Sequence, residues 1–277
     1  MFNRKEADEW NSGVDKYALL DSCRNFILDM DGTFYLSDTI IPGSLDFIAK
    51  VKETGRDFIF FTNNSSKNPD DYREKLAKMN CPVEPHRIMT SGDVTIEYIQ
   101  SQYAGKKVYL AGTEALVRSF TAAGIPLVED NPDLAVLGFD LTLTYEKIKK
   151  LCNFIRAGAV YLATHPDINC PVKDGFIPDV GSFIAMIGLS TGRNPDAILG
   201  KPNGTALDMI VKRTGWDKKA TAFVGDRLYT DVAAGVNNGA HGLLVLSGES
   251  DMTTVRESAV KADAVFADLK EIAAYLR

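Results

Sequence analysis

A chain of 277 residues with 45% hydrophobic and 25% charged residues can bury one large core or two modest ones, which excludes the disordered and fibrous classes. A net charge of −6 and a pI near 5.2 argue against a nucleic-acid or anionic-membrane partner, since both recruit clustered Lys and Arg. Four scattered cysteines without paired spacing read as reduced thiols, and the lack of a stretch of signal-peptide or bilayer length places the chain in the cytoplasm by expectation.

In chain order, residues 1–24 read as a polar lead-in with a short helix near 16–20 and no assigned task. An apolar strand at 26–28 then runs into Asp29-Met30-Asp31-Gly32-Thr33. Residues 33–38 are poor in regular pattern, and Pro42-Gly43-Ser44 opens a helix over 44–53 that Thr54-Gly55 closes. Phe58-Ile59-Phe60-Phe61 is continuously apolar, as a parallel strand covered on both faces should be, and it ends in Thr62-Asn63-Asn64-Ser65-Ser66. Helices are expected over 69–79 and 94–100.

The middle of the chain repeats the alternation. Strands are expected at 107–111, 135–139 and 159–163, with helices at 114–123 and 145–157 between them. Loop signals sit at Asn131-Pro132-Asp133 and Thr164-His165-Pro166-Asp167. After Asn194-Pro195 come Gly200-Lys201-Pro202, a helix over 204–214, a strand at 222–224, Gly225-Asp226, a helix over 231–237, strands at 243–246 and 264–266, and a closing helix from 268. Gly235, Gly239 and Gly242 fit no nucleotide-binding fingerprint and are expected at turns. The pattern is that of an α/β protein. A doubly wound, Rossmann-like parallel-sheet core at 1–102 and 195–277 is expected to carry an inserted α/β unit at 103–194, although spacing alone also allows one long sheet.

Two acids at the end of a buried strand repel one another and lose hydration, so a cation is expected beside Asp29 and Asp31. Two apart in an extended segment, they share a face and can take Mg²⁺, a hard cation that prefers oxygen; an Asp-rich turn is the plainer alternative. Asp226 follows another apolar strand. Asp231 alone is most simply a helix N-cap, and Lys201 alone a solvated surface lysine. Beside three acids, Lys201 becomes the expected positive charge for a phosphate oxygen.

Asp29-Met30-Asp31-Gly32-Thr33, Thr62, Lys201 and Gly225-Asp226 with Asp231, in that order, resemble the four signature motifs of the haloacid dehalogenase superfamily of phosphohydrolases. The large insert and the Phe61–Ser65, Ala163–Asp167 and Gly225–Asp231 segments resemble its subfamily IIA, the p-nitrophenyl phosphatase-like branch with a C2 cap. The resemblance implies a Mg²⁺-dependent phosphatase for small phosphorylated metabolites such as sugar phosphates, nucleoside monophosphates or p-nitrophenyl phosphate. Asp29 would be the nucleophile that becomes an aspartyl-phosphate, and Asp31 the general acid and base. The metal would be held by Asp29, the Asp31 carbonyl and Asp226, with Asp231 in support. Thr62, Asn63 and Lys201 would bind the phosphoryl oxygens, and the cap would choose the substrate and mediate dimerisation. Asp31 favours phosphate over carbon–halogen chemistry, because dehalogenases have no alkoxide to protonate.

The sequence departs from the branch in two places. His165 stands where it usually has Asn, as a candidate substrate contact or a solvated loop histidine, and Pro178-Asp179-Val180-Gly181-Ser182 lacks the usual first Gly. A phosphotransferase or mutase using the same intermediate, and a non-catalytic phosphate-binding module, are the alternatives.

Overall fold

The structure is a computed structural model that describes residues 4–172 and 175–277, so the first three residues of the lead-in lie outside it. Its strands are β1 (Asn25–Leu28), β2 (Tyr35–Leu36), β3 (Thr39–Ile40), β4 (Asp57–Thr62), β5 (Ile88–Thr90), β6 (Val108–Ala111), β7 (Leu134–Leu137), β8 (Val160–Ala163), β9 (Asn169–Val172), β10 (Gly175–Pro178), β11 (Ala197–Ile198), β12 (Thr221–Gly225), β13 (His241–Val245) and β14 (Ala264–Phe266). The chain divides into two compact units: Met1–Phe61, Arg73–Ile88 and Pro202–Arg277 form the first, Thr62–Tyr72 and Met89–Lys201 the second. The segment expected as an insert, 103–194, therefore falls within a unit that also takes in 62–72, 89–102 and 195–201. The local reason is packing. Helix Ser91–Gln102 lies against helix Glu114–Ala122, and β11 pairs with β8.

The first unit is organised by a sheet of order β14-β13-β12-β1-β4-β5, parallel from β14 through β4. Phe26, Ile27 and Leu28 of β1 are fully buried, which is why that run is apolar on both faces rather than alternating. Leu28 lies opposite Val224 on one side and Phe60 on the other. From β1 the chain builds outward to β4 and β5, then returns to place β12, β13 and β14 on the other flank. The topological switch therefore falls between β1 and β12, where sheets of this kind bind ligands beyond the strands' carboxyl ends.

The lead-in has a task that its sequence did not disclose. Helices Arg4–Trp10 and Lys16–Ser22 precede β1. Between them, Asn11 donates to the Val265 carbonyl at 2.7 Å and accepts from the Val265 N–H at 2.9 Å. One side-chain amide thus pairs the β14 backbone as a neighbouring strand would. Two of the glycines expected at turns are also placed differently. Gly235 lies in helix Ala233–Val236 and Gly242 in β13; a Cβ on Gly235 would collide with the His241 carbonyl, and one on Gly242 with the Val232 carbonyl. Close helix–strand approach, not turning, requires glycine there.

The second unit has its own parallel sheet, ordered β11-β8-β7-β6. Helices Glu114–Ala122 and Tyr145–Arg156 are capped by the Thr113 and Thr144 hydroxyls, which accept from Leu116 N and Lys147 N. Tyr109, Leu137, Phe139, Leu151, Ile155 and Tyr161 fill its core. Sequence pattern did not reveal the antiparallel hairpin β9–β10 or helix Val180–Thr191, which Asp179 caps and Gly192 ends. Among the described residues, no helix is long and apolar enough to cross a membrane.

Candidate active site

At the switch point of the first unit, Asp29 follows β1 and Asp226 follows β12. The Asp29 N–H donates to the Val224 carbonyl at 2.9 Å, carrying the β1–β12 pairing one residue past the strand. Asp29, Asp226 and Asp231 each offer a carboxylate oxygen within 4.8 Å of the others, with Asp29 half-buried and the other two almost wholly buried. Burial first, and then repulsion from Asp231, push the Asp226 carboxyl up from 3.8 to about 6. Three such acids are stable together as anions only beside positive charge.

Asp226 is held from three directions. Its Oδ1 accepts from Thr33 Oγ1 at 3.3 Å, its Oδ2 from the Glu249 N–H at 2.7 Å, and its carbonyl from the Ser250 N–H at 3.1 Å. Gly32, at φ +85°, and Gly248 leave the space around this carboxylate open, and a Cβ on either would run into it. Ser247 Oγ donates to the Gly32 carbonyl at 2.8 Å, joining the loop after β13 to the loop after β1. Asp231 does not cap a helix. It lies within a π-helical turn, Leu228–Val232, and its Oδ2 accepts from the Arg227 N–H at 3.1 Å, so the carboxylate folds back toward Asp226.

The Asp31 carboxylate stands outside the trio. Although the residue is exposed, its carboxyl loses enough hydration for its pKa to be raised, against the opposing pull of Lys75 and Arg227. A carboxylic acid held above its ordinary range suits proton donation near neutral pH. Lys75 also lies 3.9 Å from the Tyr35 ring centre, on the small β2–β3 hairpin. Arg227 pairs with Glu249 at 2.8 Å; burial opposes its charge, but Glu249, Asp226 and Asp29 outweigh it and hold the guanidinium protonated.

The second unit carries the remaining residues. Thr62 ends β4 half-buried, and its hydroxyl accepts from the Asn64 N–H at 3.2 Å. Lys201 is 2% exposed, so it is not the solvated surface residue its sequence also allowed. The Asn63 amide grips its backbone: Oδ1 accepts from Lys201 N and Nδ2 donates to the Lys201 carbonyl, both at 2.9 Å. His165 is fully buried, with Nε2 at 2.9 Å from Asp179 Oδ1.

The structure thus gathers Asp29, Asp226 and Asp231 in one unit and Asn63 with Lys201 in the other. Sequence reasoning gave no role to Thr33 and Arg227, which lie inside the motifs, and missed the supporting residues Ser247, Gly248 and Glu249. The signal was available in part, since β13 also runs from apolar residues into a polar Ser-Gly-Glu-Ser turn. The backbone donors, however, carry no side-chain signature. An all-carboxylate trio, cradled by glycines and burdened by mutual repulsion, fits a hard divalent cation that takes oxygen ligands.

Comparisons with known proteins identify the family. Residues 26–126 match the haloacid dehalogenase-like hydrolase family model, and residues 198–272 match a second, HAD-hydrolase-like model. The chain is similar to an acid sugar phosphatase of Staphylococcus aureus, 34% identical over 252 residues that cover 91% of this chain and 97% of the relative. Among solved structures, it is similar to a 4-nitrophenylphosphatase from Thermotoga maritima, with 48% identity, a TM-score of 0.91 and coverage of 94% and 99%. It is also similar to a glycerol phosphate phosphatase from Mycobacterium tuberculosis solved in complex with calcium, with 26% identity, a TM-score of 0.84 and coverage of 92% and 76%. The chain belongs to the haloacid dehalogenase-like hydrolases, in their p-nitrophenyl phosphatase-like branch, and is a phosphoric monoester hydrolase.

Proposed function

We propose that the protein is a Mg²⁺-dependent phosphatase that hydrolyses small phosphomonoesters, including sugar phosphates, through an aspartyl-phosphate on Asp29. The observation that carries this reading is the carboxylate trio Asp29, Asp226 and Asp231 at the sheet's switch point, with the raised Asp31 carboxyl two residues along the chain. A carboxylate oxygen of Asp29 attacks phosphorus as the bond to the leaving oxygen breaks, and Asp31 gives its proton to that oxygen, releasing the alcohol. Water then attacks the phosphoryl group while Asp31 takes back a proton. Inorganic phosphate leaves and the Asp29 carboxylate is regenerated. Asp29, Asp226, Asp231 and the Asp31 carbonyl would hold the metal, which when bound neutralises charge between an anionic nucleophile and an anionic ester. Lys201, Thr62 and Asn63 are assigned the phosphoryl oxygens by their motif positions, with the buried ammonium of Lys201 stabilising charge as it builds.

The substrate proposal draws on the names of the relatives, an acid sugar phosphatase and a 4-nitrophenylphosphatase. Its test is phosphate release across a panel of sugar phosphates, nucleoside monophosphates and p-nitrophenyl phosphate, with Mg²⁺ and with EDTA. Metal-dependent release from members of the panel, without an acceptor alcohol, is the expected outcome. Turnover that survives EDTA contradicts the metal assignment, and release only when an acceptor is supplied makes the enzyme a phosphotransferase.

A further inference from the structure

By sequence His165 is a candidate substrate contact or a solvated loop histidine, yet its ring is sealed from solvent and both nitrogens are engaged. The Asp179 carboxylate at 2.9 Å can only accept, so Nε2 carries the shared proton. Nδ1 faces Thr164 Oγ1 at 3.0 Å and Ser91 Oγ at 3.3 Å. Asp179 is itself pinned: its Oδ1 accepts from the Val180 N–H at 2.6 Å at the start of helix Val180–Thr191, where the helix dipole favours negative charge.

On the other side of the imidazole, the network runs toward Lys201. Ser91 Oγ donates to the Asn63 carbonyl in a short hydrogen bond. The Asn63 amide closes on both backbone groups of Lys201 and donates to Asp167 Oδ1 at 3.1 Å. Gly200 N donates to the Thr164 carbonyl at 2.7 Å, and a Cβ on Gly200 would strike Asn63 Oδ1, the Thr164 carbonyl and His165 Cβ. The backbone before Lys201 is therefore wedged between segments 63 and 164–165. His165, Asp167 and Asp179 also bring ligand-type atoms within 4.8 Å of one another. Hydrogen bonds to Asn63, Val180 and within the cluster account for that proximity without an ion.

The geometry points to His165 as a positioning residue: braced by Asp179 and abutting Ser91, it holds the Asn63 clamp and thereby the placement of Lys201, and it touches no substrate. Burying an imidazole is costly unless its nitrogens are satisfied, and a fully satisfied polar network holds one arrangement against others. The consequence for catalysis rests on the phosphatase reading; the clamp itself does not.

Two readouts separate these. The full chain and its His165→Leu, His165→Gln and Ser91→Ala variants are compared by amide hydrogen exchange at Lys201, whose N–H donates to Asn63, and by kcat and KM for p-nitrophenyl phosphate with Mg²⁺. In His165→Leu and Ser91→Ala, exchange at Lys201 is expected to quicken by about 10-fold or more. Their kcat should fall by about 10- to 100-fold while KM stays within about twofold, as for a misplaced rather than missing group. Gln, which can still donate to Asp179, recovers part of both. Unchanged exchange in folded variants overturns the clamp, and so does a raised KM at constant kcat, the mark of a substrate contact. If His165→Leu does not fold, Ser91→Ala decides, since it deletes one hydroxyl. If the unaltered protein releases no phosphate from any ester, the phosphatase reading fails while the exchange data still judge the clamp.

Discussion

Asp29 and Asp31 are two residues apart and chemically unequal. Asp29 shares its surroundings with Asp226 and Asp231, whereas Asp31 stands outside that trio with a raised carboxyl. Asp31→Asn is therefore expected to keep Mg²⁺ binding, measured by calorimetry, and to lose turnover by about 10²- to 10⁴-fold, the usual worth of a general acid. Weakened Mg²⁺ binding would place its carboxylate on the metal instead. Asp226 makes a pH prediction. Its carboxyl is raised in the folded protein, so the native state binds that proton more tightly than the unfolded chain does. Stability from this group is thus present at low pH and is lost as pH climbs from 3.8 to about 6. Thermal unfolding of the metal-free protein across that window should show the loss, and Mg²⁺ should restore more stability at the upper end than at the lower. A flat profile would mean that the trio is not electrostatically loaded.

At the scale of elements, the loops that follow β1, β12 and β13 form one assembly, and the glycines that permit it are testable. Gly32→Ala would have to adopt φ +85° and place a Cβ against Asp226. A loss of about 1–3 kcal/mol in denaturant unfolding, with weaker Mg²⁺ binding, is expected; a neutral substitution would contradict the close approach. Asn11→Ala, far along the sheet, should cost about 1–3 kcal/mol by leaving Val265 backbone groups unpaired, with kcat unchanged. These elements also show what the sequence disclosed. β1, β4 and β12 were legible because strands buried on both faces are continuous apolar runs, and Asp29, Thr62 and Asp226 were legible because they end such runs. β5 and the β9–β10 hairpin were not, being short or exposed and so without a periodic signature. Asp231 looked like an N-cap because a π turn cannot be told from a helix start by spacing. His165 looked like a loop residue because its partners Ser91 and Asp179 are remote in sequence, Ser91 just before the helix expected over 94–100 and Asp179 at the start of a helix that pattern did not resolve.

For the whole molecule, the order of the chemistry along the chain matches the order of strand placement. Asp29 is set before the sheet grows outward, and Asp226 after it returns to the opposite flank of β1. The second unit, with its own sheet and core, interrupts this path and carries Lys201, Asn63 and His165. In the proposed reaction a single carboxylate, Asp29, bears the transferred phosphoryl group. Its most direct test is phosphate release by Asp29→Asn with Mg²⁺ present, on protein shown to be folded by its unfolding curve. A loss of at least about 10³-fold relative to the unaltered protein is expected. Phosphate release within about tenfold of the unaltered rate would contradict it.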